Sequence, residues 1–147
     1  GALTEIYMNE KRALHDDIVM CPFPQMESAK TPLAELWEQH RQNLINYAGI
    51  AIFVFGNKFA DGKVVLSDGV EREFEIAQEI GLSLIPVGAT GSMASNLWQR
   101  VTDDFETYYP ANGPDVREEI KALGDDKLEP ADLAQIIMST VKKLKAA

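Results

Sequence analysis

A doubly wound α/β domain built on a parallel sheet is the fold class this sequence predicts, on three observations. Strand-like apolar runs alternate with helical segments. The runs are continuously hydrophobic, as strands buried on both faces of a parallel sheet read. The segments between them repeat apolar residues at helical spacing, which returns the chain to the same end of the sheet each time. The runs are Asp17 to Phe23, Gly49 to Phe55, which is almost wholly β-branched and aromatic, and Leu82 to Gly88. Helices fit between and after them at Thr31 to Tyr47, Gly69 to Ile80 and Ser92 to Val101. Beyond Val101 only helices follow, Pro114 to Leu123 and Pro130 to Lys145, each opening on a proline suited to a first helical turn. The chain begins in a helical pattern, Gly1 to Tyr7, with Leu3, Ile6 and Tyr7 on one face and no strand before it. Three strands make a thin sheet. The expectation is therefore that residues 1–147 form the later part of one larger domain whose first strand and first turn lie upstream.

Composition narrows the function classes. A length of 147 residues suits a single domain, and ordinary apolar and charged fractions exclude disorder and fibrous repeats. A formal net charge of −9 argues against duplex nucleic acid or an anionic membrane as partner, because either needs a basic face. It leaves room for a small anionic ligand held by one or two local cations. No apolar run reaches the roughly 18 residues of a membrane span and no signal-peptide pattern opens the chain. The lone Cys21 can form no internal disulfide, which fits a reducing, cytoplasmic setting. Its neighbours, Val19-Met20-Cys21-Pro22-Phe23, read as a buried strand. With two histidines and one cysteine, no metal-ligand constellation exists.

Ligands of open α/β sheets bind beyond the carboxyl ends of the strands, where backbone N–H groups and helix N-termini accept anions. After the central strand the chain runs Gly56-Asn57-Lys58-Phe59-Ala60-Asp61-Gly62 and then through Ser67-Asp68-Gly69 into a helix. Lys58 reads as a solvated loop lysine or as a phosphate or ribose contact. On the wheel of Gly69 to Ile80, Glu71, Arg72, Glu75, Gln78 and Glu79 form a polar arc, and Val70, Phe74, Ile76, Ala77 and Ile80 an apolar one. Glu73 sits inside the apolar arc, where a carboxylate must find a partner, either an internal salt bridge or a ligand. Placed in the first turn, it would also gain from the helix dipole. Arg41 borders the stripe of Leu33, Leu36, Trp37, Leu44 and Tyr47, where it either snorkels or offers a planar fork to a phosphate. His40, within that stripe, reads as a satisfied, partly buried imidazole. After the third strand come Gly88-Ala89-Thr90-Gly91-Ser92, whose small residues leave backbone N–H groups approachable and whose Thr90 or Ser92 caps a helix or touches a ligand. Phe105, Tyr108 and Tyr109 read as packing aromatics.

Together these residues carry a resemblance. An arginine on the helix before the central strand, a strand ending in FGNK, the turn-to-helix SDGVEREFEIAQEIG and the strand and turn LIPVGATG resemble the SLOG superfamily. They are most similar to the sensor domain at the C-terminus of the Thoeris anti-phage NAD hydrolases. The resemblance covers Gly1 to about Trp98. It implies a Rossmann-like domain that binds a cyclic ADP-ribose isomer, a nucleotide second messenger, behind a fused sirtuin-like domain that hydrolyses NAD, with further copies of the chain as partners in a homo-oligomer. It implies that Arg41, Lys58 and Glu73 contact the ligand, with Gly56, Asn57, Gly69, Thr90 and Gly91 around them, and that the chain itself holds no catalytic residue and no cofactor. The related Lonely Guy nucleoside monophosphate phosphoribohydrolases share the arginine and the glutamate of a PGGxGTxxE motif. Here Phe55-Gly56-Asn57 stands for PGG and Gly69-Val70-Glu71-Arg72-Glu73 for GTxxE, so Arg41 and Glu73 would be a catalytic pair in that reading.

Overall fold

In the structure, a computed structural model, residues 21–26 and 30–146 are described. The expected helix Gly1 to Tyr7 and the first four residues of the expected strand Asp17 to Phe23 lie outside them. The described part of that run, Cys21 to Phe23, pairs with no strand, and Cys21 is exposed rather than buried. Pro22 and Pro24 remove the N–H donors that a ladder would need.

Two compact units divide the chain, Gly1–His40 and Arg41–Ala147. In the first, Trp37 Nε1 donates to the carbonyl oxygen of Pro24 at 2.8 Å. His40 Nε2 lies 3.1 Å from the carbonyl oxygen of Cys21, and its ring meets Phe23 edge-on at 4.6 Å. The imidazole is half-buried and satisfied, as its position in the helical pattern implied.

The helix expected over Thr31 to Tyr47 is α1, Leu33–Ile45. Its stripe differs from the one read in the sequence: Trp37 and Leu44 are more than a third exposed and Tyr47 almost fully, while Ile45 is buried. Arg41 is one helical turn before Ile45 and so shares its inward line instead of bordering it.

The remainder of the second unit is a parallel α/β arrangement of Rossmann-like type. The central run forms β1, Ile50–Phe53, and the third run forms β4, Ser83–Pro86. They pair in parallel, Ile50 opposite Ser83 through Phe53 opposite Pro86. Between them the helix α2, Asp68–Glu79, makes the crossover. Ser67 is its N-cap, with Oγ accepting from Val70 N at 3.3 Å. Phe74, Ile76 and Ala77 are its buried face. Ile80, placed in that face by the wheel, is about half exposed because the helix has ended and Gly81 turns the chain through a positive φ.

Where a turn alone was expected, the chain builds a hairpin. Strands β2, Asn57–Ala60, and β3, Lys63–Leu66, pair antiparallel. Asp61 and Gly62 between them have φ of 50° and 76°, the two left-handed positions of a type I′ turn. An Asp-Gly pair between two short strand-forming runs is the local signal for this turn.

After β4 a short 3₁₀ turn, Gly88–Thr90, leads into α3, Ser92–Asp103, which buries Met93, Ala94, Leu97 and Val101. Three further helices complete the unit: α4 Phe105–Tyr108, α5 Arg117–Ala122 and α6 Pro130–Lys145. Phe105 and Tyr109 are buried and stack at 4.9 Å, so these aromatics pack. Trp98 Nε1 donates to Ile120 O at 2.7 Å, tying α3 to α5. The core runs through Phe74, Ile85, Val87, Leu97, Val101, Val116, Ile120 and Leu123, each fully buried and each worth about 1.5–3 kcal/mol of apolar burial. β4 is buried from Leu84 to Pro86. β1 is enclosed on one face only: Phe53 packs on Phe74 at 5.3 Å, while Ile52 and Val54, pointing the other way, are almost half exposed. That corrects the expectation of burial on both faces.

Gly56 supplies the clearest stability test. Its φ is +93°, and a Cβ there would lie 2.8 Å from the Cβ of Met93, an atom fixed to the backbone of α3. Gly56→Ala should lower the free energy of unfolding by about 2–3 kcal/mol, combining strain and overpacking. Gly62→Ala has φ of +76° but open space around it, so it should cost only about 1 kcal/mol. Urea denaturation of both variants measures the difference.

Candidate functional site

The candidate residues meet where β1 ends. Phe55 and Gly56 both take positive φ, 56° and 93°, and turn the chain outward. Phe55 N donates to Thr90 Oγ1 at 2.7 Å, and that hydroxyl donates to Val87 O at 2.8 Å. The carbonyls of Phe55 and Gly56 accept from Ala94 N at 2.8 Å and Met93 N at 3.3 Å. Two donors at the start of α3 are thus engaged by the chain itself. Neither Thr90 nor Ser92 caps α3; the N-cap position is Gly91, with no side-chain bond. Thr90 serves as a latch between two strand ends, because its hydroxyl is committed in both directions. Gly91 has open space over its Cα.

Gly56 O also accepts from Ser67 N at 2.9 Å, closing the hairpin at its base and setting down the N-terminus of α2 beside the turn. Two basic side chains converge there. Arg41 reaches from α1, and its Nη2 would stand 2.7 Å from a Cβ built on Gly69. A glycine at that point is what allows the guanidinium to lie against the first turn of α2. Arg41 Nε is 3.5 Å from Glu73 Oε1, with the side chains 15% and 28% exposed. Lys58 approaches from β2, its Nζ 2.5 Å from Asp68 Oδ1. The same oxygen accepts from Gly69 N at 2.9 Å.

The structure therefore gathers Arg41, Glu73 and Lys58 about the start of α2, with Arg41 against Gly69 and Lys58 on Asp68. Gly56 shapes the adjoining turn. Asn57 is exposed on the strand beside Lys58, on the opposite face of the ribbon. One feature of the sequence reading is corrected. Glu73 is in the second turn of α2, because the helix starts at Asp68. Its carboxylate pairs with Arg41, the internal salt bridge that was one of the two alternatives in the sequence, while Lys58 turns to Asp68. Asp68 itself was passed over. An acidic residue directly after a serine N-cap is the signal that finds it, since a carboxylate there meets the positive end of the helix.

Electrostatics at the site follow from those contacts. The hydrogen bond from Lys58 holds the Asp68 carboxyl below its ordinary range; the lysine's charge and the Gly69 N–H add to this, and slight burial opposes it. Among the described residues no three His, Cys, Asp or Glu side chains come together as a metal site, and no helix is long and apolar enough to cross a membrane.

Comparison with known proteins places the chain in a family. A family model described as the Sir2- and TIR-associating SLOG family matches residues 1–144. The chain is 36% identical over 146 residues to the NAD(+) hydrolase ThsA of Cytobacillus dafuensis, covering 99% of this chain and 29% of that protein. It is 38% identical over 148 residues to the protein of the same name in Acinetobacter baumannii, covering 97% and 31%. In Bacillus cereus the identity is 36% over 144 residues, with 98% and 29% covered. The chain thus spans less than a third of the length of these curated relatives.

The Lys58–Asp68 contact carries its own pH signature. A carboxyl whose folded pKa is depressed contributes stability above its unfolded value, and loses it as pH falls through the folded one. Carbon-detected NMR titration should place the Asp68 midpoint below the usual carboxylate value of about 4. In Lys58→Ala the midpoint should move back up toward that value.

Proposed function

We propose a function from the fact that this chain belongs to the Sir2- and TIR-associating SLOG family: it is a regulatory domain that binds a cyclic ADP-ribose isomer. The observation that carries the reading is the convergence of Arg41 and Lys58 on the first turn of α2, at the carboxyl end of β1, in a chain that is otherwise strongly acidic. A helix N-terminus flanked by two cations is a phosphate-binding arrangement. Arg41 brings a planar fork and Lys58 a mobile point charge, which suits the two phosphates of an ADP-ribose skeleton. Glu73, paired to Arg41, orients the guanidinium and stands ready to accept from ribose hydroxyls. Gly56, Thr90 and Gly91 form the surrounding turns, with Asn57 at the start of β2.

The relatives are named as NAD(+) hydrolases and are about three times as long as this chain. The reading therefore includes a longer parent protein, with a sirtuin-like NAD-hydrolysing domain upstream and this domain as its switch, acting in the cytoplasm as a homo-oligomer. Activation is a population shift: the ligand favours the arrangement of subunits that binds it better.

Calorimetry with cyclic ADP-ribose isomers, on the chain in its full natural length, tests this. Arg41→Ala should weaken binding about ten- to a hundredfold, the value of a charge-assisted bond of roughly 1.5–3 kcal/mol. Glu73→Gln should lose affinity and the activation of NAD hydrolysis, with the ligand recovered unchanged by chromatography. The Arg41–Glu73 pair also fits a phosphoribohydrolase, whose glutamate would stabilise the sugar cation of the transition state. Release of base from a nucleoside monophosphate, abolished by Glu73→Gln, would overturn the sensor reading in favour of that enzyme.

A further inference from the structure

Resting on the nucleotide-binding reading, we propose that Asp68 is a built-in stand-in for a ligand phosphate, holding Lys58 and its hairpin in place until a ligand displaces it. The argument starts from one oxygen. Asp68 Oδ1 accepts from Lys58 Nζ at 2.5 Å and from Gly69 N at 2.9 Å. An ammonium group and a backbone N–H in a first helical turn are what a phosphate oxygen takes at such a place. Arg41 Nη2 lies over the same Gly69. The carboxylate thus occupies part of the position that a phosphate would take on Lys58 and the Gly69 N–H.

The contact is suited to being exchanged. The Asp68 side chain is 81% exposed and that of Lys58 44% exposed. An exposed pair of this kind shifts an equilibrium by about fivefold at most. The pyrophosphate of such a ligand brings two charges and more acceptor oxygens, so it can engage Arg41 as well. Buried pairs do not yield in this way, because parting them strands a charge in the interior.

Displacement has a mechanical consequence. The hairpin β2–β3 pairs with neither β1 nor β4, and most of its residues are exposed. Its base is closed by Ser67 N donating to Gly56 O, and Lys58–Asp68 fastens β2 to α2 just beyond. When Lys58 leaves Asp68 for a ligand, the hairpin changes its fastening from the helix to the ligand. The opposite face of the ribbon carries Phe59, Val64 and Leu66, all exposed, and so would move with it.

Calorimetric titration with cyclic ADP-ribose isomers tests the proposal through a double-mutant cycle. Four forms of the full-length protein are compared: wild type, Asp68→Asn, Lys58→Ala and the double variant. Melting without ligand confirms that each is folded, and Asp68→Ser replaces Asp68→Asn if the latter is not. The expected result is binding about two- to fivefold tighter in Asp68→Asn than in wild type, with no gain from the same change in the Lys58→Ala background. Unchanged or weaker binding in Asp68→Asn would overturn the stand-in while leaving the binding function intact. An equal gain in both backgrounds would also overturn it, since the carboxylate would then be acting as a general repulsive charge. Absence of binding in all four folded forms would overturn the nucleotide-binding reading itself, and the stand-in with it.

Discussion

The turn at Phe55 and Gly56 is held by hydrogen bonds running to three elements, and the arrangement of the site depends on them. One carbonyl accepts from Ala94, the next from both Met93 and Ser67, and the Phe55 amide donates to Thr90. Without these bonds, the first turn of α3 would have orphaned donors, β1 would have no fixed exit and the hairpin no closed base. The close approach requires a residue without a Cβ at position 56, which explains why the glycine there is structural before it is anything else. It also explains why the anion-accepting end nearest the candidate residues belongs to α2 and not to α3, whose leading donors are already engaged.

Around α2 the charges are arranged at short range against the average of the molecule. The chain carries a net charge of −9, yet Arg41 and Lys58 reach the same helical turn from different elements. Each is met by a carboxylate: Glu73 for the half-buried arginine, Asp68 for the exposed lysine. The difference in burial separates the two pairs in kind. Arg41 and Glu73, largely removed from water, constrain each other, and parting them is costly. Lys58 and Asp68 share an exposed contact whose net worth is small. One pair is framework and the other is exchangeable.

The same contrast runs through the packing. α2, β4 and α3 bury their apolar faces in a single core, whereas the hairpin stands clear of it. A ribbon tied at its base, with few buried contacts, belongs to the low-stability part of a domain and can shift without disturbing the rest. A ligand-binding lysine on such a ribbon is positioned to respond, while an arginine beside a core isoleucine is positioned to hold.

How much of this is legible in the sequence depends on whether a residue's state is set by its neighbours or by distant partners. β4 and the helices α2, α3 and α6 stand where hydrophobic runs, helical period and a leading Pro130 put them. Those signals are local, and any apolar surface satisfies them. Glu73 was conspicuous for the same reason, as a carboxylate among apolar helix positions. The hairpin was marked by Asp61-Gly62, a turn pair whose backbone requirement is also local. By itself, then, the sequence determined the α/β class, most of the helices and the oddity of Arg41, Lys58 and Glu73. Tertiary structure alone decided that Thr90 latches Phe55 across 35 residues, that β1 is covered on one face, and that Asp68 takes Lys58. Hydrogen bonds and ion pairs between elements depend on the distance and direction of groups far apart in the chain, and no periodicity along it encodes those.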